Sequence, residues 1–423
     1  MWRRAVPIQT NNNTSRIVQS CCRCRRRRRD DTPVGVSWKD VKVPSIRIRY
    51  FSSSSSSTPP QQSSSPQSIM ERYNAQEDHA HCVQVVQQRD REGYVCGLLM
   101  PSHARQAYFA IRAFNVEIAS IKDVAASRSS TSGNTNNPPP SEGSSLALQM
   151  RIQWWRDALE ELYAVHEDSE IPRTTTTTKS SLNPLALPSC WHNPIIRSLY
   201  YANTNHHHNH NHHTPLLTRR FLERLVEARQ HDLTIDQLAT MDDALLYAED
   251  TTSSLLYLSL ECVGLQNEQA DQVASHAGRG IGLTMALRST IPRLWKGELT
   301  IPADAYPGVF PTTYLLQRHA AATASLESPS PSPPYDPDKE DIIRQGFEHV
   351  ASLASVHLQK AREDQHQIPS SGRSCLLPVV PNLQFLEQLQ HYQYDIGTTQ
   401  QAYDQSKFRT LALIGRAWMT GVF

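Results

Sequence analysis

Apolar residues return every three or four positions through nearly all of this chain that is able to pack, and no stretch alternates with turn signals on both sides. Over 103–125 the stripe is Ala107, Ala110, Ile111, Phe114, Ile118 and Ile121; over 146–165 it is Leu148, Ile152, Trp155, Leu159, Leu162 and Tyr163. Residues three and four apart share a helix face, so each stripe marks a helix with one buried side. Residues 216–232, 243–263, 268–291, 339–364, 382–393 and 404–419 repeat the pattern, and the expected fold class is all-α. Pro101 and Pro302 mark breaks, since proline cannot continue a helix. Trp154 and Trp155 are adjacent; the stripe sends Trp155 to the core and leaves Trp154 to a groove, a partner or a neighbouring helix.

Segments of another composition separate these stripes. Residues 127–145, 169–186, 203–214 and 322–338 are rich in Ser, Thr, Pro, Asn or His and are read as low-complexity insertions in one helical domain, 68–423. They hold the hydrophobic share to 39%, below the ~45–50% of ordinary globular chains. The histidine run (His206, His207, His208, His210, His212, His213) lies among asparagines without an acidic partner, and is read as compositional drift rather than a metal site. Cys82, Cys96, Cys190, Cys262 and Cys375 are scattered without a Cys-x-x-Cys pair, which fits free thiols rather than a disulfide framework or zinc.

Charge is divided unevenly. Of 42 Lys+Arg and 41 Asp+Glu, the first 50 residues hold 13 and three, leaving 29 basic against 38 acidic residues in the body. An acidic body argues against nucleic acid as a partner. Residues 1–29 carry nine arginines and no acid, the pattern of an organelle transit peptide. A matrix-protease site is expected around Arg49-Tyr50-Phe51-Ser52, making 1–51 a mitochondrial presequence and 52–67 a Ser/Pro/Gln linker, disordered. No window reaches the ~20 apolar residues needed to span a bilayer.

Several ordered strings go further. Arg89-Asp90-Arg91-Glu92-Gly93-Tyr94-Val95-Cys96-Gly97-Leu98-Leu99-Met100-Pro101 leads into Ala110-Ile111-Arg112-Ala113-Phe114-Asn115-Val116-Glu117. Gln153-Trp154-Trp155-Arg156-Asp157, Arg229-Gln230-His231-Asp232-Leu233 and the run from Tyr247 through Glu249-Asp250-Thr251 to Tyr257 follow. Ala274-Ser275-His276-Ala277-Gly278-Arg279 and Ile301-Pro302-Ala303-Asp304 complete the series. Together they resemble the complex I assembly factor 6 proteins of the squalene/phytoene synthase superfamily, over most of 70–420. The resemblance implies an isoprenoid-synthase-like single helical domain.

Enzymes of that superfamily ionise allylic diphosphates, with magnesium held by an Asp-x-x-x-Asp pair on each of two facing helices. Four-residue spacing puts both carboxylates of a pair on one face, one turn apart. Carried onto this chain, the first pair is degenerate: Ala119-Ser120-Ile121-Lys122-Asp123 keeps only Asp123, with Lys122 beside it. The second pair is expected after Ala286-Leu287-Arg288, where Ser289-Thr290-Ile291-Pro292-Arg293-Leu294-Trp295 offers no carboxylate before Glu298, and Pro292 is expected to break the helix. One carboxylate is too few for a magnesium cluster that stabilises a leaving group by several kcal/mol.

The resemblance therefore implies a pseudoenzyme without metal, cofactor or catalytic residue, supporting an early stage of respiratory complex I assembly. Its expected partners are complex I subunits or assembly intermediates, with peripheral contact on the matrix side of the mitochondrial inner membrane. The alternatives are an active prenyl-diphosphate transferase and a module binding an isoprenoid or lipid ligand. A vestigial pocket is expected from Arg112, Asp123, Asp232, Tyr247, Asp250 and His276. Arg279 is a further candidate beside His276 and Arg112 for accepting an anion, against a plain core histidine; Asp123 is read as an ordinary surface acid. Glu249 and Asp250 are neighbours, so a helix points them apart and a shared ion is not expected.

Overall fold

A computed structural model describes residues 74–123, 142–167, 189–204, 217–324 and 335–423. The presequence, the linker, the histidine run and most of the four insertions lie outside these residues. The helices reach into the insertions' expected margins, covering Glu142–145, Asn203–Thr204, 322–Ala324 and Pro337–338. Among the described residues there is no strand, as the periodicity requires.

Fourteen α-helices are named here in chain order. α1 (Ala75–Arg89), α2 (Arg91–Leu98), α3 (Ser102–Ala119), α4 (Glu142–Glu167), α5 (Pro194–Thr204) and α6 (Arg219–His231) form the first half. α7 (Met241–Ala248) runs through a π-helical turn, Glu249–Ser253, into α8 (Ser254–Cys262); α9 (Glu268–Leu294) and α10 (Thr312–Ala324) follow. α11 (Pro337–Asp364), α12 (Val379–His391), α13 (Ile396–Gln405) and α14 (Lys407–Thr420) close the chain's described part. The stripes over 243–263 and 404–419 thus each span two helices, the first interrupted by the π-turn and the second by a break at Ser406.

Local chemistry places the starts. Asn74 accepts the Gln76 N–H at 2.9 Å, Asn267 accepts that of Ala270 at 2.8 Å, and Thr240 and Asp243 cap one another reciprocally. Each satisfies a donor that a helix start leaves open. Asp336 caps α11, with Pro337 at the first helical position.

α9 is the central helix, and small residues let it sit there. A Cβ at Gly278 would lie 2.4 Å from the Ser253 Cα in the π-turn, and one at Gly282 would lie 2.5 Å from the Ala248 Cβ. Four residues apart, these glycines share the face against which the α7–π-turn segment packs. α11 packs on α9, with Ala354 and Leu358, both buried, set against Gly280. Trp155 is buried against Phe114, ring centroids 5.3 Å apart and nearly perpendicular, while Trp154 is half-buried on the core's edge. The five described cysteines are free and buried, and burial pushes the Cys82 thiol up to about 12. Asp78 on α1 and Arg197 on α5 form a buried two-pronged pair at 2.8 and 2.5 Å, and Arg197 also donates to the Trp191 carbonyl at 2.9 Å.

Pro292 does not break α9. It sits in the last turn, where a missing N–H forfeits one bond, and the helix runs on to Leu294. The end is closed by Trp295 N–H to Ile291 C=O at 3.3 Å and Gly297 N–H to Leu294 C=O at 3.0 Å, with Gly297 at φ +83°. That extra turn matters, because it carries Arg293 alongside the end of α3.

Candidate functional site

Between α3, α6, α7 and α9 lies an open cavity of about 860 Å³. Its inner wall is apolar, including Leu255, Leu256, Ile281 and Val350. Its mouth is charged, and the two expected aspartate positions face it from opposite sides. Ala119 and Asp123 line one side; Ser289 and Arg293, again four apart, line the other. At the four positions where the resemblance expects carboxylates, the cavity carries a methyl group, one carboxylate, one hydroxyl and one guanidinium.

The charges at the mouth satisfy one another. Asp123 pairs with Lys296 Nζ at 2.7 Å and with Arg293 at 3.5 Å. Arg293 also holds Glu298 at 2.7 Å, and Glu298 holds Lys122 Nζ at 3.0 Å. Lys122 further donates to the Ile235 carbonyl at 3.1 Å. Burial works against the Arg293 cation, but its bond to Glu298 and the nearby Asp123 charge raise its pKa above the ordinary value. Asp123 is therefore not the free-standing surface acid expected from sequence; it is tied to two cations at the cavity mouth. This donor set does not fit magnesium, which needs several carboxylate or water oxygens and no ammonium beside them. Among the described residues, no three His, Cys, Asp or Glu side chains cluster to hold any metal.

A second network lies deeper. Tyr247 Oη donates to Asp232 at 2.7 Å, and Arg229 donates to the same oxygen at 3.1 Å while contacting the Tyr247 hydroxyl. Burial raises the Tyr247 pKa in spite of Arg229, so the hydroxyl keeps its proton. Arg112 pairs with Asp90 at 3.2 Å. Arg288 grips Glu92 at 2.6 and 3.0 Å, and Tyr403 donates to Glu92 at 2.8 Å. Burial alone would raise Glu92, but Arg288 and Tyr403 outweigh it and hold its carboxyl below the usual range.

Of the six expected pocket residues, the cavity gathers Arg112, Asp123, Asp232 and Tyr247. Asp250 and His276 are elsewhere. Asp250 pairs with Arg224 of α6 at 3.1 Å, while Thr251 and Thr252, which follow it in the π-turn, line the cavity. His276 lies thirteen positions before Ser289, about 20 Å along the helix axis. Its Nδ1 is 3.0 Å from that of His357, and Arg279 beside it pairs with Glu249 at 2.9 Å. Neither joins Arg112 around an anion. Glu249 also accepts from Tyr257 at 2.5 Å and Ser275 at 2.7 Å, so Glu249 and Asp250 do point apart. The sequence reading missed Arg293 and Lys296 as site residues, although four-residue spacing from Ser289 marks the first of them.

These features define a class: an all-helical protein built around an open cavity with an apolar inner wall and an ion-paired mouth. The squalene/phytoene synthase family profile matches residues 86–409, and the chain belongs to that family. Among its relatives is human "NADH dehydrogenase (ubiquinone) complex I, assembly factor 6", 28% identical over 321 residues, 75% of each chain. The homolog of that factor from Drosophila melanogaster is 29% identical over 311 residues, 73% of this chain and 74% of its own. A solved dehydrosqualene synthase in complex with ligand has the same fold, with a TM-score of 0.51 at 15% identity, covering 84% of this chain and 99% of that one.

Proposed function

We propose that the chain is a non-catalytic assembly factor for mitochondrial respiratory complex I, acting at an early stage. The observation that carries the non-catalytic part is Arg293, which stands at a metal-ligand position and pairs with Asp123, the one carboxylate retained. A cation there repels the metal that would neutralise a leaving diphosphate. The assembly part is supported by relatives that bear that name at 28–29% identity across about three quarters of their length.

The proposed setting is the matrix side of the inner membrane, reached through residues 1–51 as presequence, with the protein bound peripherally to complex I subunits or intermediates. Among the described residues, no helix is long and apolar enough to cross a membrane. A second reading, in which the cavity holds an isoprenoid or lipid tail, is favoured by its apolar inner wall. Deleting the gene tests the main reading: complex I is lost on native gels stained for NADH dehydrogenase activity while complex III stays. Intact complex I in the deletion strain overturns it.

A further inference from the structure

α14 presents two apolar faces, and among the described residues one of them is buried in the core while the other is largely exposed. Thr410, Ile414 and Ala417 are buried, and the helix packs on α12. On the other side, Phe408, Leu411, Ala412, Trp418 and Met419 are exposed, Phe408 by 70% and Met419 by 74%. At ~100° per residue they span an arc of about 120° that contains no charge. Gly415 lies within this arc and faces open space. Beyond the helix, Val422 is half-exposed.

The charged residues of α14 itself, which border the arc, are all basic. α14 bears Lys407, Arg409 and Arg416 and no acid. Arg409 and Arg416 lie together along one edge and Lys407 along the other, where it meets Asp404 of α13 at 3.2 Å. Trp418 is held half-exposed by its Nε1–H, which donates to the Leu99 carbonyl at 3.1 Å. Leu98, also half-exposed, lies beside it on the rim of a shared groove.

We propose that this outer face of α14 is a membrane-docking surface that lies flat in the headgroup region of an anionic bilayer. A basic-edged helix with Trp, Phe and Leu on one face has the chemistry of an interfacial helix, and each Lys or Arg near an anionic surface adds attraction. A half-exposed indole suits the boundary between headgroups and acyl chains. A protein groove would call for the apolar arc as well, but the exposed Arg409 and Arg416 along one edge select a surface of negative charge. This proposal deepens the peripheral-membrane part of the proposed function and is independent of any role in assembling complex I.

The test uses the purified chain with vesicles of phosphatidylcholine, with and without phosphatidylglycerol, read by co-sedimentation. Binding to the anionic vesicles is expected, weakening with added salt. Leu411→Glu/Met419→Glu should weaken it by roughly tenfold or more, because apolar insertion is lost. Arg409→Glu/Arg416→Glu should abolish the preference for anionic vesicles. Circular dichroism and thermal unfolding confirm that both variants fold, since every substituted residue is exposed. No binding by the unaltered protein overturns the proposal, as does binding that neither variant changes. A dimer in sedimentation velocity that Leu411→Glu/Met419→Glu dissolves would assign the face to a second copy instead. Failure of vesicle binding with complex I still dependent on the gene would remove this surface alone.

Discussion

Arg293 and Asp123 meet 3.5 Å apart across the mouth of the cavity, each at a position where the resemblance to the family's enzymes leads one to expect an aspartate. Asp123 lies in the helical turn that follows α3, so the pair links that turn to the end of α9 directly. Lys296 extends the link beyond Asp123, and Glu298 followed by Lys122 extends it beyond Arg293, giving a chain of alternating charge.

Removing the retained acid should therefore change little. Asp123 is part-exposed, and exposed ion pairs contribute ~0–1 kcal/mol. Asp123→Ala is expected to restore complex I in a deletion strain as fully as the unaltered gene, scored by in-gel activity at matched protein abundance. Phe114→Asp should fail, since an unpaired charge in the fully buried centre of α3 costs several kcal/mol. A folded, abundant Asp123→Ala protein that loses assembly would show the carboxylate itself at work.

The central packing makes a sharper stability prediction. Gly278→Ala pushes a methyl group to 2.4 Å from the Ser253 Cα, backbone that has no rotamer to yield. It should destabilise by about 1–3 kcal/mol, the range for overpacking, read from the urea midpoint. Gly264→Ala tests another effect, because nothing lies near its Cβ and only its φ of +76° is strained. A midpoint for Gly278→Ala equal to the unaltered protein's would contradict the close approach of α9 to the π-turn.

The His276–His357 contact predicts a pH response. Burial, then His276 and Arg279, lower the His357 pKa to about 4, against an unfolded value near 6.5. Burial, then Arg279 and Lys360, disfavour a proton on His276 as well, with Asp364 and Glu249 opposing them. A depressed folded pKa gives stability that is present above about 6.5 and is lost as pH falls toward about 4. Glu261 has the opposite sign: burial raises it to about 6, so its share is present at low pH and fades as pH rises through about 6. Comparing the urea midpoints of the unaltered protein and His357→Gln from pH 7.5 down to 5 separates the two. The variant should lose part of the acid-side decline, and identical slopes would refute the assignment.

Much of the fold was legible because a helix stripe is a local signal. The periods over 103–125, 146–165, 268–291 and 339–364 each lie largely on a helix. α1, α2, α5, α10 and most of α13 went unassigned: they are short or carry weaker stripes, and tertiary packing rather than pattern stabilises them. The charge pattern at the site was half legible. Ala119 and the acid-free run after Arg288 are plain in the sequence, but the pairing of Arg293 with Asp123 depends on α9 continuing past Pro292. Proline's cost falls on one N–H, and in a last turn that loss is small. Asp250 was misplaced because nothing in Glu249-Asp250-Thr251-Thr252-Ser253 announces its pairing with Arg224 of α6, which reveals itself only in three dimensions.

The central claim, that ion pairs have taken over the metal site, is tested most directly by pyrophosphate release. The purified chain is incubated with farnesyl or geranylgeranyl diphosphate and magnesium, and released pyrophosphate is followed against a blank without protein. With Arg293 on Asp123 and neither Ala119 nor Ser289 offering a carboxylate, release should not rise above the blank at any magnesium concentration. Steady release that a chelator abolishes would contradict the account, because it would require a metal cluster that these side chains do not form.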